Sequence, residues 1–200
     1  EVFTTLASAL SKTGREKGYS EHPYFKNEGV IESENMIAEL FYKDSKSKLM
    51  INAIADPTEI TENIKTGRIL AEICEVKIAP HFSQMNRSIK NPEFIIDGNI
   101  ADAKRIQSER GISAGFKAAV KQGCEIVILD YDYNNVFLRA NNTASHIANR
   151  NEDFESKKIK CCYIVKNGKA IKIDANLFQE GKDRYTLIGD ISLIIQKAMK

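Results

Sequence analysis

Residues 91–104 read Asn91-Pro92-Glu93-Phe94-Ile95-Ile96-Asp97-Gly98-Asn99-Ile100-Ala101-Asp102-Ala103-Lys104. Asp-Gly between two apolar runs is a strong hairpin signal, because both central residues of a type I′ turn need positive φ. Side chains alternate along a strand, so Asp102 and Lys104 fall on one face of the second arm, and the tight turn returns Glu93 alongside them. Two carboxylates and one amine then converge. Such a set suits phosphodiester hydrolysis: two carboxylates can hold a hard divalent cation that polarises phosphate and activates water, while a lysine orients the nucleophile or offsets developing charge.

Working outward, residues 58–73 predict a helix with Thr58 as N-cap and acidic side chains in its first turn, where the helix dipole favours them. Ile60, Ile64, Ile69, Leu70 and Ile73 supply the buried stripe, and Gly67 weakens it locally. Residues 74–79 alternate as a strand, 80–90 form a polar loop, and 93–96 and 100–106 are the hairpin arms. An amphipathic helix over 112–122 stops at Gly123, and the nearly all-apolar run 125–131 has the composition of a central strand covered on both faces. A helix over 134–150, a hairpin of 159–165 with 170–173 around Asn167-Gly168, and a closing helix over 188–199 complete the chain. The fold class is therefore α/β, one mixed sheet flanked by helices. Residues 1–57 read as an N-terminal helical extension, with helices at 2–10, 35–42 and 48–54, closed by Asp56-Pro57 because a residue before proline is pushed out of helical geometry. The main domain is expected over 58–200.

With 29 Lys and Arg against 27 Asp and Glu, the net charge of +2 cannot hold nucleic acid by the whole-protein field, so any such site must be a local basic cleft. No apolar run reaches the length of a membrane span, and the start at Glu1-Val2-Phe3 shows neither an initiator Met nor a signal-peptide pattern, so the chain is expected to be a piece of a longer polypeptide. Cys74, Cys124, Cys161 and Cys162 form no CxxC pair and no zinc-finger spacing. They read as small core residues of a domain that works in a reducing compartment.

The pattern Pro92-Glu93, nine residues, Asp102-Ala103-Lys104, set in the order helix, three strands, helix, strand, resembles the PD-(D/E)xK nuclease signature. The longer string from Asn91 to Lys104, followed by a helix ending in Lys121-Gln122 and the strand 126–129, is similar to the C-terminal toxin domains of CdiA-type contact-dependent growth inhibition proteins. The resemblance covers about residues 58–131. It implies Glu93 and Asp102 as ligands of a divalent metal, Mg or Zn, and Lys104 as the catalytic amine. It adds Glu62 as the carboxylate from the first helix, with Glu59, Glu72 and Glu75 left open by the uncertainty of a helix boundary, and Gln122 for substrate or lysine positioning. Glu93 stands where the signature usually carries Asp and Asp102 where it often carries Glu; both keep a carboxylate. The resemblance further implies a nuclease that cleaves RNA, tRNA before DNA, carried to the cell surface in a larger protein and acting in the target-cell cytoplasm. It implies a cognate immunity protein as partner, and leaves room for a host translation factor.

Other residues support alternatives. His81, in the loop with Arg87 and Lys90, is placed to be the general base of a metal-independent ribonuclease of the barnase or colicin type. Arg87, Lys90, Arg105 and Lys121 are the candidate phosphate contacts, and Arg110, Lys117 and Lys121 share one helical face at spacings of seven and four. A non-catalytic binding module, with the acidic hairpin as an interface, is the third class.

Overall fold

The computed structural model describes residues 40–81, 91–179 and 181–200. Within them one eight-stranded mixed sheet runs β1 (Phe41–Lys43), β2 (Met50–Asn52), β3 (Val76–Ile78), β4 (Phe94–Ile96), β5 (Asn99–Arg105), β6 (Ile126–Asp130), β7 (Cys161–Lys166) and β8 (Lys169–Asp174), and its spatial order is the chain order. The helices are α1 (Ile60–Leu70), α2 (Gly111–Gln122), α3 (Ala140–Ala148), the short α4 (Asn151–Glu155) and α5 (Arg184–Met199). The pairs β2/β3, β5/β6 and β6/β7 are parallel and every other neighbour is antiparallel. Helices fall wherever a parallel neighbour demands a crossover. The α/β class expected from the sequence is the class observed. No helix among the described residues is long and apolar enough to cross a membrane.

Alternation divides the sheet into two faces. Val127, Leu129, Cys162, Ile164, Ile171 and Ile173 pack under α2, α3 and α5 with Phe116, Ile147 and Ile191. Ile78, Phe94, Ile96, Ala101, Ile126, Ile128 and Tyr163 pack on the other face with Leu70 of α1. All five residues of β6 are buried, as its apolar run requires of a strand covered on both sides.

Two sequence expectations fail near the start of the described chain. The stretch read as helical at 48–54 is β2, and Tyr42, at the end of the expected helix 35–42, lies in β1; residues 1–39 lie outside the described residues. A short apolar run has no periodicity that tells strand from helix, and here pairing with β3 decides it. Thr58 is not the N-cap of α1. Its backbone N–H and hydroxyl both donate to Asp56 Oδ1, at 2.8 and 2.7 Å, and α1 begins at Ile60 with Glu59 in the capping position.

Gly67, which weakens α1 as an isolated helix, has a packing reason. A Cβ there would lie 2.8 Å from Leu49 Cδ1, and Leu49 is fully buried, so glycine lets α1 close onto the chain entering β2. Arg68 then pins this contact with two bonds to Asp44, Nη2 to Oδ1 at 2.7 Å and Nε to Oδ2 at 3.0 Å. The guanidinium holds the Asp44 carboxyl well below the usual carboxylate range.

Candidate functional site at the central hairpin

The β4/β5 hairpin turns at Asp97 and Gly98, with φ of 47° and 77°, the positive values a type I′ turn needs. Its register pairs Phe94 with Ala101, so Glu93, one step before β4, comes opposite Asp102. The Glu93 carboxylate accepts from the backbone N–H of Ala103 at 3.1 Å, and Lys104 Nζ forms an ion pair with Asp102. The three residues singled out in the sequence therefore do stand together.

Burial governs their electrostatics. Asp102 is 3% exposed, and removal from water raises its pKa, with the Lys104 ammonium opposing that rise. The Glu93 carboxyl is pushed up to about 8, first by burial and then by the charges of Asp102 and Glu59, with Arg105 and the Ala103 N–H pulling the other way. Two carboxylates held above their ordinary range so close together are a site short of positive charge.

Lys104 owes its path to α2. A Cβ at Gly115 would lie 3.0 Å from Lys104 Cγ and 3.2 Å from its Cβ, so the lysine stem occupies the space that any larger residue at 115 would claim. The next residue alternates to the opposite side, where Arg105 Nη1 donates to Glu59 Oε1 at 3.0 Å and Nη2 to Asn63 Oδ1 at 3.5 Å. Its guanidinium also lies over the Tyr133 ring, 4.8 Å from the centroid. Lys104, Arg105, Gln107, Ser108 and Gly111 line an open cleft of about 400 Å³. On the α1 side, Glu59, Asn63, His81 and Glu93 border a smaller recess, where His81 Nδ1 lies 3.3 Å from Asp56 Oδ2.

Several expected members lie elsewhere. Glu62 forms an exposed i,i+3 pair with Lys65 at 2.7 Å, and the α1 carboxylate at the site is Glu59 instead. The shift follows from the helix beginning at Ile60: Glu59 tops the first turn, and Glu62 has rotated away. Glu72 is exposed and Glu75 pairs with Lys77. Gln122 and Lys121 end α2, which runs back against β5 so that its end stands by Ile100, where the N–H of Glu125 bonds, rather than by Lys104. Four residues of strand separate those positions, about 13 Å. Gln122 Oε1 is buried with no hydrogen-bond partner, and Lys121 is exposed. Arg87 and Lys90 lie outside the described residues.

Residues the sequence reading did not bring to the site are Asn63 and Gly115, whereas Tyr133, with Asp130, Asp132 and Tyr131, already marks the end of the central strand as a place where sites form. Glycine inside an amphipathic helix just after a candidate lysine strand was the available signal for Gly115. Asp130, an acidic strand end, is structural: its Oδ2 accepts from Thr66 at 2.6 Å and its Oδ1 from the N–H groups of Asp132 and Tyr133, both at 3.0 Å. Cys124, Cys161 and Cys162 are buried and Cys74 is half-buried; burial raises the thiols of Cys74, Cys161 and Cys162, Cys161 up to about 12, which suits packing residues rather than nucleophiles.

The donor set bears on a metal. Among the described residues no group of three or more His, Cys, Asp or Glu is placed to hold one, so they do not build the closed four-ligand cage of structural zinc. Mg²⁺ asks for less, because it keeps several waters and binds through one or two carboxylates. Glu93 and Asp102 fit that requirement. Comparison with family models, curated proteins and solved structures finds no match for this chain.

Proposed function

We propose that this chain is the nuclease domain of a contact-delivered bacterial toxin, hydrolysing phosphodiester bonds of RNA, with tRNA the foremost substrate, at Glu93, Asp102 and Lys104. The observation that carries the reading is the convergence of one buried carboxylate, Asp102, one half-buried carboxylate, Glu93, and one ammonium at the β4/β5 hairpin. Further support comes from the succession α1, β3, β4, β5, α2, β6, the helix, three strands, helix, strand order of a PD-(D/E)xK core.

Each side chain has a task. Glu93 and Asp102 would hold a divalent cation, which when bound polarises the phosphate and lowers the pKa of water. Lys104, paired with Asp102 at rest, faces the open cleft, where its ammonium orients the attacking water or offsets charge on the phosphate. Arg105, whose side chain alternates to the other face of β5 but which borders the same cleft at the strand end, would contact the substrate backbone there. Glu59 holds Arg105 and adds negative potential at Glu93. The partners of such a domain are a cognate immunity protein in the producing cell and, on the host side, a translation factor; the domain leaves the producer within a larger surface protein and acts in the target-cell cytoplasm.

One observation favours a second reading. His81 stands in the recess of Glu93 and is paired with Asp56, an arrangement that can orient an imidazole as general base for attack by a ribose 2′-hydroxyl without metal.

The deciding experiment incubates the purified domain with total tRNA and with plasmid DNA, in Mg²⁺, Zn²⁺ or EDTA, beside Asp102→Ala and His81→Ala. Cleavage of tRNA that needs metal and disappears with Asp102→Ala is the expected result. Cleavage that persists in EDTA and disappears with His81→Ala transfers the chemistry to the second reading. No cleavage of either substrate overturns both in favour of a binding module.

A further inference from the structure

Beyond the carboxylates and lysine, the end of the sheet carries an unusual surface. Arg105 and Asp130 form the last rung of the β5/β6 ladder, so the loop that follows Asp130 begins beside Arg105. That loop is anchored from below. The Tyr131 ring is fully buried, with its hydroxyl 2.8 Å from that of Thr143, and the Val136 N–H closes back on the Tyr131 carbonyl at 3.0 Å. Asn134 Nδ2 donates to the Ile106 carbonyl at 3.0 Å, and the Asp130 carboxylate takes the N–H groups of residues 132 and 133. A loop so tied could hide its aromatic side chains at little cost. Instead Tyr133 is 46% exposed and Phe137 is 75% exposed.

Tyr133 is held ready by its neighbours. The Arg105 guanidinium covers its ring at 4.8 Å, and Arg105 is itself fixed by Glu59 and Asn63. Exposed Arg139 follows Phe137 on the same loop, and exposed Arg110 caps α2 across the open cleft. Exposed aromatic rings on an anchored loop, one of them covered by an arginine and both near further arginines in sequence, match the chemistry of unpaired nucleotides, whose bases stack on rings while their phosphates meet cations. Paired bases offer no free faces to such rings.

We propose that Tyr133 and Phe137 form a stacking platform for unpaired nucleotides, which selects single-stranded or looped RNA and lays its backbone along Arg105 into the cleft of Lys104. This deepens the nuclease reading and rests on it only for the direction in which the strand is laid. Removal of one stacking ring weakens binding about tenfold.

The test measures fluorescence anisotropy of a labelled oligouridylate and of an RNA duplex of equal length, in an Asp102→Asn background that leaves the strand intact. The oligouridylate binds more tightly than the duplex; Tyr133→Leu and Phe137→Ala each lose about tenfold for the single strand alone, whereas Tyr133→Phe keeps its affinity. Equal binding of Tyr133→Leu and Tyr133→Phe, or no preference for the single strand, overturns the platform. The same preparations with Asp102 restored are assayed for cleavage. Cleavage without strand discrimination sinks the platform and leaves the hydrolysis reading standing; single-strand binding through Tyr133 without cleavage does the reverse.

Discussion

The Glu93 carboxylate accepts a hydrogen bond at 3.1 Å from the backbone N–H of Ala103, the residue that separates Asp102 from Lys104. One arm of the hairpin thereby holds its acidic side chain against the main chain of the other, and the spacing of the carboxylates is set by strand register rather than by flexible side chains. The first prediction tests this coupling through pH. A carboxyl raised from its ordinary 4.5 to about 8 binds protons in the folded state that the unfolded state has released. The contribution of Glu93 to stability is therefore full below about pH 4.5 and is lost as pH rises towards about 8. Thermal unfolding of the metal-free domain across that window should show a falling midpoint, and Glu93→Gln should flatten it; an unchanged slope in the variant would remove Glu93 as its source.

A cation at the two carboxylates reverses that sign. With Mg²⁺ present, the ionised forms are favoured, so the metal should raise the unfolding midpoint more at pH 8 than at pH 5. Glu93→Gln with Asp102→Asn should abolish the increment. Calorimetric titration with Mg²⁺ gives the same answer independently, and equal metal binding by the double variant would place the ion elsewhere.

Lys104→Ala should lower kcat by roughly 10²–10⁴-fold with KM little changed, as expected for a group that acts in the transition state more than in the ground state. Steady-state cleavage of a defined RNA measures both constants. A rise in KM alone would make Lys104 a substrate-binding residue.

Gly115→Ala should act on the same lysine from behind. The added Cβ would meet the Lys104 stem at 3.0 Å, so either α2 or the lysine must shift, at a cost of about 1–3 kcal/mol in stability. Cleavage should fall together with it. A nuclear magnetic resonance signal of the Lys104 side chain that stays in place in the variant would refute the displacement.

Glu59 and Glu62 should part company. Glu59→Gln frees Arg105 and removes a negative charge from the surroundings of Glu93, so the Glu93 carboxyl should titrate at lower pH and the pH profile of cleavage should move with it. Glu62→Gln breaks only an exposed pair, worth less than about 1 kcal/mol. Equal profiles for the two variants would dismiss Glu59 from the site.

The legible parts of the chain were those whose information is local. Asp97-Gly98 sets its own turn, and with it the meeting of Glu93, Asp102 and Lys104; the apolar run of β6 states its burial on both faces. What stayed hidden depends on partners distant in sequence. Met50–Asn52 is a strand because β3 offers it an edge, and its own pattern fits a helix equally well. Glu59 supplants Glu62 because Asp56 binds Thr58 and closes the preceding turn, so the cap moves one position on to Glu59, which stands at the head of α1 beside Arg105. Tyr133 gains significance only from Arg105, which lies 28 positions earlier and reaches it through the parallel rung between β5 and β6.

The coincidence of chain order with strand order has a kinetic meaning. Each strand finds its partner in the one made just before it, so the sheet can grow at a single advancing edge, and no strand waits for a later one to open a place between neighbours. Sequential pairing confines each closure to the chain between consecutive strands, which favours folding. A polypeptide fed end first through a narrow passage could begin to set its sheet on the far side while its tail was still in transit.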